Sequence, residues 1–212
     1  MYELISILFW GEDWDIMYLR QIPEESYFLA YAKKNFRGVD IEEGSLCPYI
    51  PIEPDLEWGT FYKSLSKKLR RDFSNKYNRL KKFGTYEYDQ TLTRDGINHH
   101  ISDIREIERS SSKAVKGVDL VFDEDDKMGF QQKLIDNSGS DYKVLLTLLK
   151  LDRQIIAYLY GFIYNNKYYA YNISYLPEYA EVSPGKLLMN ESIKFVIENK
   201  GYIRISQKPK FT

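Results

Sequence analysis

The stretch Ser183-Pro184-Gly185-Lys186-Leu187-Leu188 carries the most pointed chemistry in the chain. A serine caps a helix well because its hydroxyl accepts from an orphan amide of the first turn. Proline suits the first helical position, where its missing N–H costs nothing. Glycine then follows, about 1 kcal/mol worse than alanine inside a helix. An absent side chain there lets another group approach the backbone amides, and exposed amides at a helix start form a natural phosphate site. The same residues also make a plain, well-capped helix, so the local sequence leaves both readings open.

A second candidate is basic. From Phe61 the apolar positions run Phe61, Leu65, Leu69, Phe73, Tyr77 and Leu80, one stripe of a helix. The opposite face carries Lys63, Lys67, Lys68, Arg70, Arg71, Lys76, Arg79, Lys81 and Lys82. Lys67, Arg70 and Arg71 can line a groove for an anionic substrate, a polysaccharide or a tRNA. The same charges also serve as a solvated face on a core helix. His99 and His100 are neighbours on a helix and point about 100° apart, so they do not share a metal ion. Cys47, the one cysteine, precedes Pro48 and reads as a small core residue.

The elements that must position these groups are legible from periodicity. Tyr2–Trp10 and Ile16–Gln21 read as strands, Glu24–Asn35 as a helix, and Val39–Glu43 and Cys47–Ile52 as short strands. The basic helix is expected to run from Phe61 to Phe83, stopped by Gly84 at a position where helices often end. Thr85–Thr91 alternates like a strand, and Asp95–Val115 has helical spacing through Ile97, Ile101, Ile104 and Ile107. A loop from Gly117 to Asp126 leads to a helix around Met128–Asp136. Three successive strands are expected at Tyr142–Leu151, Gln154–Tyr164 and Lys167–Tyr175, joined by hairpin turns at Asp152-Arg153 and Asn165-Asn166. A loop from Leu176 to Val182, a helix from Ser183 to Asn199 and a strand at Tyr202–Ser206 complete the chain. The fold class is mixed α and β (α+β), a mainly antiparallel sheet flanked by helices.

Bulk properties narrow the function classes. The chain has 212 residues, 43% of them hydrophobic and 29% charged, enough to bury a sizeable core. The 19 tyrosines suit half-buried strands and grooves, where a flat ring packs and a hydroxyl stays wet. A net charge of −1 gives no global attraction to nucleic acid or acidic lipid. One cysteine excludes an internal disulfide framework and fits a reducing compartment. The most apolar stretch, Val144 to Tyr164, is interrupted by Lys150, Asp152 and Arg153, so no membrane insertion is expected. Met1 to Trp10 lacks a basic leader and a cleavage site, and the expected location is cytoplasmic.

Several stretches in order resemble the CelD-like branch of the GNAT acyltransferase superfamily, which is related to the Fem-type peptidyltransferases. They are Leu46 to Ile52, Ser64 to Asp72 with Arg79-Leu80, Ile155-Ile156-Ala157 with Gly161-Phe162, and Pro177-Glu178-Tyr179 ahead of Ser183-Pro184-Gly185. The resemblance runs from roughly Arg20 to Gly201 and implies a GNAT fold in two lobes, residues 1–91 and 92–212. It implies acyl-CoA as co-substrate, with no permanently bound cofactor, and an amine acceptor on a sugar or cell-envelope precursor. Ala157, Tyr158 and Leu159 would offer backbone partners to the pantetheine arm, and Ser183, Pro184, Gly185 and Lys186 would hold the pyrophosphate. In such enzymes the amine attacks the thioester directly, so the protein orients, polarises the carbonyl and manages two protons. Tyr171, Tyr175 and Glu181 are the candidates for that proton work, the tyrosines also being ordinary packing residues and Glu181 an ordinary solvated carboxylate. No metal is implied.

The chain departs from this family in beginning late and in lacking the acidic-aromatic strand expected after the last helix, as if shortened at both ends. Three rival readings follow. The first is a Fem-type transferase taking its aminoacyl group from tRNA. The second is a non-catalytic remnant that binds a partner through an open sheet edge. The third is a nucleic-acid module, which near-neutral charge disfavours. The oligomeric state is not readable from the sequence.

Overall fold

The computed structural model describes residues 18–19, 22–36, 38–44, 48–118, 120–123, 125–199 and 204–207, with the backbone alone at 126 and 204–207. The chain divides into two compact units, residues 1–46 and 47–212. In the first, helix α1 spans Tyr27–Asn35, and Ser26 caps it by accepting from Leu29 N at 3.1 Å. The strand expected at Val39–Glu43 is irregular chain: Val39 and Ile41 stay exposed, and among the described residues no strand pairs with the segment to hold it extended. The strand expected at Tyr2–Trp10, and most of Ile16–Gln21, lie outside the described residues.

The second unit holds a six-stranded sheet. Its strands are β1 (Tyr49–Pro51), β2 (Tyr86–Thr91), β3 (Tyr142–Leu151), β4 (Gln154–Tyr164), β5 (Lys167–Tyr175) and β6 (Arg204–Gln207). They lie in the order β1-β6-β5-β4-β3-β2. All neighbours are antiparallel except β5 and β6. The β3–β4 and β4–β5 turns have positive φ at both central residues: Asp152 and Arg153 in one, Asn165 and Asn166 in the other. Such turns match the twist of the strands they join.

The basic helix breaks in two. Leu65 is extended, and Ser66 starts a new helix by accepting from Leu69 N at 3.2 Å. The result is α2 (Trp58–Ser64) and α3 (Lys67–Phe83). Gly84 ends α3 as expected, with the Asp152 carboxylate filling the place a Cβ would take. The helix expected over Asp95–Val115 is likewise three pieces: α4 (Arg94–His99), α5 (Ile101–Ser110) and α6 (Ser112–Val115). Ser111 makes the second break by capping α6, its hydroxyl accepting from Lys113 N at 3.3 Å. Helix α7 spans Asp125–Asp136. A 3-10 helix at Pro177–Val182 stands where a loop is expected, followed by helix α8 (Pro184–Glu198).

Helices cover both faces of the sheet, which explains why β3 and β4 are buried almost without interruption. On one face Phe73 and Leu80 of α3 and Leu187, Leu188 and Val196 of α8 pack on Leu145, Leu149 and Leu159. On the other, Ile97, Ile104, Ile107 and Ile135 pack on Val144, Leu146, Tyr158 and Tyr160. Among the described residues no helix is long and apolar enough to cross a membrane.

Candidate functional site

Strand β5 leads through the 3-10 helix into α8, and Ser183 is the joint. Its φ of 52° and ψ of 61° place it in the left-handed region, which a side-chain-bearing residue adopts at a cost of about 1 kcal/mol. Ser183 therefore does not cap α8 with its hydroxyl. Its carbonyl accepts from Lys186 N at 2.9 Å, and its hydroxyl accepts from Lys76 Nζ at 3.1 Å. Gly185 has a packing reason as well: an added Cβ would sit 3.3 Å from Ile173 Cδ1 of β5.

Lys76 and Lys186 both stand at this helix start. Asp72 lies between them, 3.4 Å from Lys76 Nζ and 3.6 Å from Lys186 Nζ. Lys76 is only 12% exposed, so its charge is held in place rather than left to water. A helix N-terminus already carries positive partial charge. Two ammonium groups and one carboxylate leave that end short of negative charge.

The edge of β5 bears on the same region. Strand β6 follows β5 only from Lys167 to Ala170, and no described strand follows it over Asn172–Tyr175. On the opposite side the β4–β5 register shifts: Tyr160 faces Asn172 and Gly161 faces Ala170, so the ladder skips Tyr171. Gly161 permits this bulge, since a Cβ there would meet Tyr169 O at 2.6 Å and the Tyr168 ring. Ala157, Tyr158 and Leu159 lie inside the sheet, in register with β3 on one side and β5 on the other.

The three proton-handling candidates are separated. Tyr171 packs edge-on against Phe162 at 5.4 Å on the α5 face, and burial, then the charge of Glu108, pushes its phenol up. Tyr175 belongs to the opposite, α8 face. Glu181 lines a cavity with Arg79, Lys82 and Phe83. Lys67, Arg70 and Arg71 stand on the first turns of α3, where Arg70 Nη1 donates to Lys63 O at 3.1 Å.

Beside the bulge is a buried polar network that periodicity alone does not announce. Glu108 of α5 is 1% exposed and accepts from Phe122 N and from Asn172 Nδ2, each at 2.7 Å. Asn172 Nδ2 also donates to Tyr158 OH at 2.9 Å, and its Oδ1 accepts from Lys113 Nζ at 2.5 Å. Burial, and then Glu108, holds the Tyr158 phenol well above its ordinary range. A signal for one of these residues exists in the sequence. Glu108 falls four residues after Ile104, a charge set on an apolar stripe. Lys76, by contrast, is expected on the exposed basic face and is left only 12% exposed beside the stripe of Phe73. Among the described residues no cluster of His, Cys, Asp or Glu could hold a metal ion.

Solved structures similar to this chain include the ribosomal-protein-S18-alanine N-acetyltransferase of Escherichia coli, at 16% identity and a TM-score of 0.38, over 54% of this chain and 61% of that one. The PaiA N-acetyltransferase of Thermoplasma acidophilum, solved with coenzyme A, matches at 20% identity and a TM-score of 0.39, over 54% of this chain and 74% of that one. The L-PGS structure from Bacillus licheniformis matches at 14% identity and a TM-score of 0.43, over 77% of this chain and 48% of that one. The chain thus spans about half to three quarters of the proteins it resembles. No curated protein sequence matches it significantly. The family model described as the acetyltransferase (GNAT) domain matches residues 67–206, from the first turn of α3 into β6. That is well over half of the sequence, and the chain belongs to the GNAT acetyltransferase domain family.

Proposed function

We propose that the chain transfers an acyl group from a CoA thioester to an amine, with acyl-CoA as co-substrate. The observation that carries this reading is the lysine pair at the start of α8, where Lys76 and Lys186 gather positive charge around the helix N-terminus. A diphosphate supplies the missing negative charge and can accept from Gly185 N, the first-turn amide without a backbone partner among the described residues. The pantetheine arm then lies along β5 from Tyr175 toward Asn172, the stretch no described strand follows. Ala157–Leu159 is less suited to the arm, because its backbone is laddered on both sides.

At the bulge the thioester carbonyl would meet a strand amide, and a dipole aimed at the developing oxyanion lowers the barrier. The amine nitrogen attacks the carbonyl carbon, the C–S bond breaks, and the thiolate leaves with the electron pair. The proton shed by the nitrogen passes through solvent to the thiolate, which departs as the CoA thiol. Tyr171 stands nearest this point among the three candidates. Its raised phenol is a weaker acid than an ordinary thiol, whose pKa is about 8.5. Its hydroxyl therefore serves the thiolate as a hydrogen-bond donor rather than as a proton source. Tyr175 faces the other side of the sheet and Glu181 the nucleotide end, so neither is assigned to the proton steps. The acceptor we assign is an amine on a polysaccharide or envelope precursor, contacted by Lys67, Arg70 and Arg71. The ordered CelD-like stretches support that choice.

Thermal unfolding with and without CoA, acetyl-CoA and longer acyl-CoAs tests the donor. A ligand at 100 times its dissociation constant adds about 2.7 kcal/mol, and each kcal/mol moves the midpoint roughly 2–4 °C at this size. A rise of that order, lost in Lys186→Glu, is the expected result. A cooperative transition indifferent to every CoA species would overturn the reading. Strongly salt-dependent tRNA binding would then favour an aminoacyl-tRNA donor.

A further inference from the structure

The basic face of α3 and the start of α8 are parts of one surface. Lys76, Arg79 and Phe83 recur at steps of three and four, so they share one side of the helix. Lys76 touches Ser183, and the Phe83 ring packs edge-on against Tyr179 at 5.6 Å. This side of α3 is therefore laid along the 3-10 helix, from its C-terminal joint back toward its first turn. Between these two anchors is a cavity of about 330 Å³ lined by Arg79, Lys82, Phe83 and Glu181. That volume is in the range of small-molecule sites. Among the described residues neither Arg79 nor Lys82 has a carboxylate partner, although Glu181 faces the same space.

We propose that this cavity takes the nucleotide end of the acyl donor, with Arg79 and Lys82 recognising the 3′-phosphate of its ribose. The inference rests on the acyl-CoA reading above and extends it to a part of the ligand that reading leaves unassigned. Lys76 to Lys82 is six residues of helix, about 9 Å. A diphosphate at Lys76 thus sets a phosphorylated ribose beside Arg79 and Lys82. The guanidinium forks onto phosphate oxygens, and the ammonium adds a point charge. Phe83, 40% exposed, offers an apolar face to the base. Glu181 opposes this binding as a like charge, and its removal strengthens it.

Calorimetric titration of the full chain with CoA and with 3′-dephospho-CoA tests the assignment without any mutation. CoA binds at least about tenfold more tightly, the size of one charge-assisted hydrogen bond. In Arg79→Ala/Lys82→Ala the two ligands bind alike, while dephospho-CoA affinity stays that of the unsubstituted chain. Glu181→Gln tightens CoA and leaves dephospho-CoA unchanged. Equal affinity for the two ligands in the unsubstituted chain, or a preference that survives the double substitution, would overturn the subsite and leave the acyl-CoA reading standing. Failure of both ligands to bind would overturn the two together. Both cations are exposed on the last turns of α3, and single variants Arg79→Gln and Lys82→Gln, each halving the preference or more, serve should the double variant misfold.

Discussion

Lys76 Nζ donates to Ser183 Oγ at 3.1 Å, tying the middle of α3 to the left-handed residue from which α8 starts. One contact thus joins the helix that carries the basic face to the turn where, among the described residues, Gly185 N has no backbone partner. It also holds the Lys76 side chain, only 12% exposed, at the anion site proposed above.

Lys76→Met keeps the packing stem and removes the charge. The KM for acyl-CoA should rise roughly tenfold or more, the loss of one charge-assisted interaction of about 1.5–3 kcal/mol. The unfolding midpoint without ligand should move by only a few degrees. Steady-state kinetics beside a thermal scan checks this, and an unchanged KM would remove Lys76 from the donor site.

Glu108→Ala strips two donors of their acceptor, Phe122 N and Asn172 Nδ2, in a buried place. A loss of about 2–4 kcal/mol in urea unfolding is expected. Glu108→Gln retains an acceptor but turns an N–H toward one of the two donors, and should cost less. Equal stability of Glu108→Ala and the unsubstituted chain would show that water readily replaces the network.

Gly161→Ala forces a Cβ against Tyr169 O and the Tyr168 ring, neither a flexible chain end. The strand must shift, at about 1–3 kcal/mol. Because the clash lies at the bulge, the turnover number should fall more than the affinity for CoA. A variant of full activity and reduced stability would detach the bulge from catalysis.

Glu191 gives a pH signature. Burial, chiefly, raises its carboxyl above the ordinary value, against the smaller pull of Lys194. The folded state then holds its proton more tightly than the unfolded one, so stability falls as pH rises from the unfolded value, about 4.3, through the raised folded value. Above that window the cost is constant. Glu191→Gln should therefore raise the midpoint at pH 7, and the gain should vanish by about pH 4. A gain independent of pH would point to packing instead.

The three long strands and both hairpin turns were legible because each signal is local: β-rich runs bounded by Asp152-Arg153 and Asn165-Asn166. Helix breaks at Ser66 and Ser111 were hidden, since an apolar stripe continues across a capped joint and only the serines mark it. The Ser183 turn was readable as a phosphate candidate, yet the hydroxyl's partner was not. Lys76 lies 107 residues away, and no periodicity reports a contact of that kind. The bulge at Tyr171 escaped for a related reason, because a register shift is decided by the partner strand. Gly161 was its one local sign.

That span of 107 residues between Lys76 and Ser183 has a thermodynamic consequence. The donor site proposed above is not the property of any one segment. It exists only while α3, the β3–β5 meander and α8 are all in place. Opening any of them dissolves the site, so ligand binding opposes each such fluctuation with its full free energy. Amide protons slow to exchange in the presence of donor should therefore appear in α3 and β4 as well as beside the ligand, and by the same increment.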